Sequence, residues 1–262
     1  MMQSRLTRIQ KAGMEQDGCA IAVNGVSKKF RIPTEKKFTI FDNLIGLFRG
    51  GSYAYEDFLA LQDVSFSVFQ GETFGVIGPN GCGKSTLLKV LAGVLYPDCG
   101  SIRVKGRIAP FLELGVGFQE ELTARDNVYL YGAIMGLTKK DIDRRYDEIM
   151  DFAELKRFEN MKLINFSSGM YVRLAFSTAI QTDPDVILVD EVLSVGDEAF
   201  QQKCSQKIDQ IRSSGKTILL VSHDLEMVEN LCERCILMNG GKIVFSGDTK
   251  SALDEYKKMR GR

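Results

Sequence analysis

The sequence lacks any net charge: 34 lysines and arginines balance 34 aspartates and glutamates over 262 residues. No global basic field therefore points to nucleic acid or to an anionic membrane, and any anion the chain binds has to be caught locally. No run approaches the ~18 consecutive apolar residues of a membrane span. The N-terminal stretch has basic residues with no apolar segment after them, so the chain is expected to be neither secreted nor membrane-spanning by itself. The six cysteines (Cys19, Cys82, Cys99, Cys204, Cys232 and Cys235) are scattered rather than framed as in a small stapled domain, which favours a reduced, cytosolic compartment. Cys232 and Cys235 have the spacing of a zinc half-site or redox pair, but no second such pair accompanies them and the single histidine, His223, lies in another context. Internal repeats, low-complexity tracts and heptad runs are also missing. What the chain does have is 44% hydrophobic residues, enough for the core of one large domain or a domain with a subdomain, which excludes disorder as its overall state.

Residues 1–18 are polar and expected to be disordered, and a strand is predicted over 20–30. The stretch 31–57 interrupts the strand pattern. Within it Phe41, Leu44, Ile45 and Phe48 fall at the i, i+3, i+4, i+7 spacing of a short amphipathic helix. Its ordinary role is packing on its own domain; edged by Lys36, Lys37 and Arg49, it is also suited to meet lipid headgroups or a phosphate-bearing cargo. Strands are then expected at 61–68, 73–77 and 100–106, with a helix at 85–92. Residues from about 118 to 180 read as an inserted α-rich region in which Asp141 starts a long charged helix. Strands at 186–189 and 217–221 flank a helix around 198–213. Strands alternating with helices argue an α/β fold with a parallel sheet.

Three segments carry chemistry. Gly78-Pro-Asn80-Gly81-Cys82-Gly83-Lys84-Ser85-Thr86 matches G-x-x-x-x-G-K-[ST] and lies between a predicted strand and a predicted helix. Its glycines let backbone N–H groups curl inward around phosphate oxygens, and the helix N-terminus adds partial positive charge. Lys84 then reaches the outer phosphates while the Ser85 hydroxyl ligates Mg²⁺. Residues 186–189 form an apolar strand ending in Asp190 and Glu191. Asp190 is placed to hold Mg²⁺ and Glu191 to polarise the attacking water as general base. A third apolar strand ends at His223, which is assigned to face the terminal phosphate because ligands gather at strand carboxyl ends.

With these in place the chain resembles the nucleotide-binding subunit of an ABC transporter over about residues 20–247. Asn165-Phe-Ser167-Ser168-Gly169-Met170 is similar to the L-S-G-G-Q signature and precedes a helix and the Asp190 strand. The resemblance implies a P-loop core with a parallel sheet, an antiparallel β subdomain and an inserted helical signature subdomain. It implies ATP and Mg²⁺ as cofactors and a homodimer in which Ser167, Ser168 and Gly169 of one chain complete the ATP site of the other. Gln119 stands where the family has the glutamine that contacts Mg²⁺, and residues 194–197 stand where it has the loop that crosses the dimer interface. An aromatic under the adenine is implied at Tyr55, with Phe58 or Tyr53 as alternatives.

Ser168 and Met170 replace a glycine and the glutamine of the signature. That departure, the Leu112-Glu-Leu-Gly-Val-Gly-Phe118 run and the inserted segment before Leu59 resemble the ATPase subunits that export O-antigen, capsular polysaccharide and teichoic acid. The resemblance then implies an ATPase that works with two copies of a multispanning permease at the cytoplasmic face of the plasma membrane, with membrane contact through that permease and no nucleic acid. About fifteen residues follow Gly247, so residues 248–262 are read as a helical tail, and the carbohydrate-binding module of some such subunits is expected to be absent. A soluble ATPase of the same family acting on DNA or ribosomes is the alternative. It usually carries two heads or a long coiled coil and a basic surface. A small-molecule kinase would need neither the signature nor His223.

Overall fold

A computed structural model describes residues 18–33, 55–111, 114–190 and 197–260. Glu191, Tyr53, residues 194–196 and the Phe41, Leu44, Ile45 and Phe48 stripe lie outside the described residues.

The first sheet is antiparallel. Strand β1 (Cys19–Pro33) pairs on one side with β2 (Tyr55–Phe69) and on the other with β4 (Cys99–Val104). In β2 Val64, Phe66 and Val68 alternate inward, as a strand with one wet face requires. They share a core with Leu87, Leu88 and Leu91 of helix α1 (Lys84–Leu91).

The second sheet runs in the order β5 (Ile108–Phe111), β6 (Val186–Val189), β7 (Thr217–Val221), β3 (Thr73–Ile77), β8 (Arg234–Asn239) and β9 (Lys242–Asp248). It is parallel from β5 to β8, with β9 added antiparallel at one edge. A parallel sheet is covered on both faces, which is why β3, β6 and β7 are buried at every position. Strand β5 escapes a sequence reading because it is four residues long and contains Pro110; proline is tolerated there because β5 is an edge strand. Strands β8 and β9 also went unpredicted. Cys235 of β8 and Cys232, which ends a helix, are buried in the core behind Gly75, where a Cβ would come within 2.8 Å of the Cys235 Cβ and 3.3 Å of the Cys232 Sγ. Burial pushes the Cys232 thiol up to about 12 and the Cys235 thiol up to about 11.

A helical layer follows β5: α2 (Ala124–Ile134), α3 (Lys139–Ala153) and α4 (Ser168–Ala179). They pack through Val128, Tyr131, Ile142, Ile149, Met150, Leu174 and Phe176. Helix α3 starts before Asp141. Thr138 is its cap and Asp141 is the third helical residue, returning a carboxylate to the cap in a reciprocal capping box. Thr123 and Asp126 do the same for α2. Asp197 caps α5 (Glu198–Ser213), Asp224 caps α6 (Leu225–Leu231), and α7 (Thr249–Arg260) closes the described chain against β8 and β9. Among the described residues no helix is long and apolar enough to cross a membrane.

Candidate nucleotide site

Strand β3 delivers the chain directly into the glycine loop. Gly78 has φ 151°, and a Cβ there would lie 2.3 Å from the Met238 carbonyl oxygen; Gly83 has φ 109°, and its Cβ would lie 2.5 Å from that of Ala60. Only glycine lets the loop thread between β8 and β2 in these conformations. Helix α1 then begins at Lys84, and the amides of its first turn are not used within the helix. The Lys84 side chain is 7% exposed, and its ammonium donates to the carbonyls of Gly78 at 2.8 Å and Pro79 at 3.1 Å. A cation is thus pinned inside a curl of backbone at a helix N-terminus, the arrangement that binds phosphate. Gly81, Asn80 and Ser85 are exposed around it, Thr86 is half-buried, and Cys82 is buried behind it with its carbonyl accepting from the Gly241 N–H at 2.9 Å. Burial raises the Cys82 thiol pKa against the pull of Lys84.

Asp190 and His223 leave the sheet at the same edge. Strand β7 lies between β3 and β6, with Val76 opposite Val221 and Val189 opposite Leu220. The carboxyl ends of these three parallel strands therefore gather Gly78, Asp190 and His223. Asp190 is half-buried and His223 exposed. The turn carrying His223 is fixed on both sides: buried Ser222 accepts the Asp224 N–H at 3.0 Å, and Asp224 accepts from the amides of Glu226 and Met227 at 3.0 and 3.1 Å.

Gln119 follows the carboxyl end of β5 and is exposed. Its backbone is held by a residue that sequence reasoning missed. Fully buried Asn127 accepts the Gln119 N–H at 2.7 Å and donates to the carbonyls of Gln119 at 2.9 Å, Leu122 at 3.3 Å and Thr123 at 2.9 Å. The signal was present: Ala124, Asn127, Val128 and Tyr131 form the buried stripe of α2, so a polar side chain occupies an apolar position of the helical period.

Ser167, Ser168 and Gly169 lie elsewhere, at the start of α4 in the helical layer. The Ser167 hydroxyl accepts the Met170 N–H at 3.2 Å as the helix cap, and both serines are exposed. One turn on, Arg173 reaches Glu154 at 2.7 Å and also bonds Asp197, which caps α5. Helix α4 is thereby tied to the start of α5. Arg173 also stacks on Phe200, 4.9 Å from its ring centroid.

The ABC transporter family profile matches residues 61–194, from β2 through the glycine loop, the signature and the Asp190 strand. The chain belongs to the ABC transporter family. It is 43% identical over 239 residues to the ABC transporter protein AbcA of Aeromonas salmonicida, covering 91% of this chain and 76% of that one. It is 44% identical over 200 residues to the O-antigen export system ATP-binding protein RfbB of Klebsiella pneumoniae (76% and 81%). It is 38% identical over 236 residues to the teichoic acids export ATP-binding protein TagH of Listeria innocua (90% and 69%). Among solved structures, a dimeric ATP-binding cassette in a post-hydrolysis state with ADP and Pi shares the fold at TM-score 0.68 and 22% identity, covering 87% of this chain and 98% of that one. The chain is an ATP-hydrolysing, nucleotide-binding ABC subunit with the ATPase-cassette fold.

For an ABC ATPase the remaining question at the site is where the base sits. A recess of about 370 Å³ opens beside Gly81, lined among others by Ile32, Phe58, Leu59 and Gln62. Phe58 lies opposite Phe30 in the β1–β2 register, which puts two rings on one face. Tyr55 stands at the start of β2 opposite Pro33, 58% exposed, and is not among the residues lining the recess.

Proposed function

We propose that this subunit powers export of a lipid-linked polysaccharide, of the O-antigen, capsule or teichoic acid class, from the cytoplasmic face of the plasma membrane. The observation that carries this reading is the likeness to the ATP-binding proteins of O-antigen and teichoic acid export, which extends over the signature and the glycine loop together. It also favours transport over an ATPase acting on DNA or ribosomes, a class for which the balanced charge supplies no basic surface.

In this reading the protein works as a homodimer with two copies of a multispanning permease. Lys84 and the amides of the glycine loop bind the phosphates of the chain's own ATP. Ser167 and Ser168, exposed on a separate helix N-terminus, and half-buried Gly169 beside them meet the phosphates of the partner's. The Ser85 hydroxyl, the Asp190 carboxylate and the Gln119 amide are hard oxygen donors of the kind that hold Mg²⁺ together with nucleotide phosphates, and the ion neutralises charge on the phosphates. Glu191 acts as general base on water, His223 contacts the terminal phosphate, and Phe58, which lines the recess beside Gly81, takes the adenine in preference to Tyr55. Val116, Ile134 and Ile164 expose apolar side chains in and near the helical layer, a surface suited to a protein partner.

The test is Glu191→Gln in the producing cell. The variant should bind ATP, accumulate as an ATP-dependent dimer, and leave lipid-linked glycan inside the cell, identifiable by mass spectrometry. Normal surface glycan with this variant present as the sole copy would refute the reading.

A further inference from the structure

Tyr171 stands four residues after Ser167, and its N–H donates to the Ser167 carbonyl at 3.0 Å in the first helical turn of α4. Its side chain points away from the signature, into the loop that carries Gln119. The Tyr171 hydroxyl donates to the Gly115 carbonyl oxygen at 3.0 Å. That same oxygen accepts the Phe118 N–H at 2.9 Å. Gly115 has φ +80°, and a Cβ on it would lie 2.6 Å from the Tyr171 ring, so the ring fills the space that a side chain would need. Phe118 packs edge-on against Tyr171 at 5.0 Å and against Tyr131 at 5.1 Å between ring centroids. Phe118 immediately precedes Gln119. An unbroken path of hydrogen bonds and ring contacts therefore joins Ser167, Tyr171, Gly115, Phe118 and Gln119 within one chain.

The two ends of this path serve different nucleotides, a step that rests on the shared-site reading above. Gln119 faces the metal and phosphates of the chain's own ATP, whereas Ser167 faces those of its partner's. We infer that Tyr171 is a positioning residue that couples the two ATP sites of the dimer, setting the Gln119 loop at one site according to whether the signature serine is engaged at the other. The physical basis is the hydrogen bond from the Tyr171 hydroxyl to the Gly115 carbonyl. It clamps the ring to the Gly115 backbone, so a displacement of α4 is passed to the oxygen that also holds the Phe118 N–H; without the bond the ring can slide along the contact.

The conservative variant Tyr171→Phe keeps the ring and removes only the bond to Gly115. In the full-length dimer, ATPase rate is measured against ATP concentration, alongside the thermal midpoint and the affinity of a non-hydrolysable ATP analogue for the dilute single chain. The wild type should show a Hill coefficient clearly above about 1, and Tyr171→Phe should bring it toward about 1, while analogue affinity stays within roughly twofold. Gly115→Ala, which presses on the same contact from the other side, should have the same effect on cooperativity. A wild-type Hill coefficient in Tyr171→Phe, or a wild type without cooperativity, overturns the proposal. So does a parallel loss of thermal midpoint and analogue affinity, which marks Tyr171 as structural. Ser167→Arg separates the two readings. If that variant still hydrolyses ATP, the shared site itself fails; if it is inactive yet binds the analogue, a negative result with Tyr171→Phe counts against the coupling alone.

Discussion

The amide oxygen of Asn127 accepts the backbone N–H of Gln119 at 2.7 Å, from a side chain that is fully buried. Asn127 thus fixes where the Gln119 side chain starts. Asn127→Ala strands the Gln119 N–H, whereas the carbonyls of Gln119, Leu122 and Thr123 each keep a backbone donor; a buried group left without a partner costs about 1–3 kcal/mol, less where water reaches it. The variant should unfold at lower urea and also need more Mg²⁺ for half-maximal ATPase activity, because Gln119 is no longer held. A stability loss with unchanged Mg²⁺ dependence would confine Asn127 to a structural role.

Lys84 contributes a charge that neither Gly78 nor Pro79 neutralises, since both accept its hydrogen bonds through carbonyls. A charge-assisted hydrogen bond to phosphate is worth about 1.5–3 kcal/mol, so Lys84→Ala should weaken ATP binding roughly 10- to 100-fold. Calorimetry measures this directly. The rise in thermal midpoint that ATP gives the wild type should shrink in the variant, because ligand stabilisation follows the ratio of concentration to Kd. An undiminished rise would remove Lys84 from the phosphate site.

The glycine loop was legible from sequence because strand, loop and helix are consecutive and each of residues 78–86 has a local reason to be what it is. The caps Thr123 and Thr138 went unread for a narrower reason. The eye stops at the charged Asp141, whereas the cap is the hydroxyl three residues before it. The adenine platform was harder. Counting back from the Gln70-Gly71 turn fixes a position along β2, but which ring fronts the recess depends on how β1 pairs with β2, and that register shifts at Val23, Val26 and Lys28. Tyr171 meets Gly115 across 56 residues of sequence, and no local pattern announces such a contact.

The cysteines offer a check on the packing. Cys99 is exposed, whereas Cys204, Cys232 and Cys235 are buried with thiols pushed up to about 12, 12 and 11. The thiolate is the reactive form. Alkylation of the folded protein at neutral pH, followed by mass spectrometry, should mark Cys99 first and reach those three only after denaturant is added. Early labelling of Cys232 or Cys235 would contradict the placement of β8 behind Gly75.

Arg173 makes stability depend on pH in a defined direction. Glu154 has its pKa lowered by hydrogen bonds from Arg173 and Lys203, and Asp197 by the Phe200 N–H first and Arg173 second. A carboxyl with a depressed folded-state pKa gives its full stabilisation above its unfolded pKa and loses it as the pH falls through the folded one. Arg173→Gln should therefore lower the thermal midpoint at neutral pH, and the gap from wild type should narrow on acidification below the ordinary carboxylate range. It should not close entirely, because Arg173 also stacks on Phe200. Both carboxylates are more than half exposed, so the midpoint shift should be modest. The larger loss is expected in ATPase rate, since Arg173 ties α4 to Asp197, seven residues after Asp190 in sequence. A gap in midpoint that stays constant from neutral to acid pH would show that Arg173 stabilises through its stacking and not through its two carboxylates.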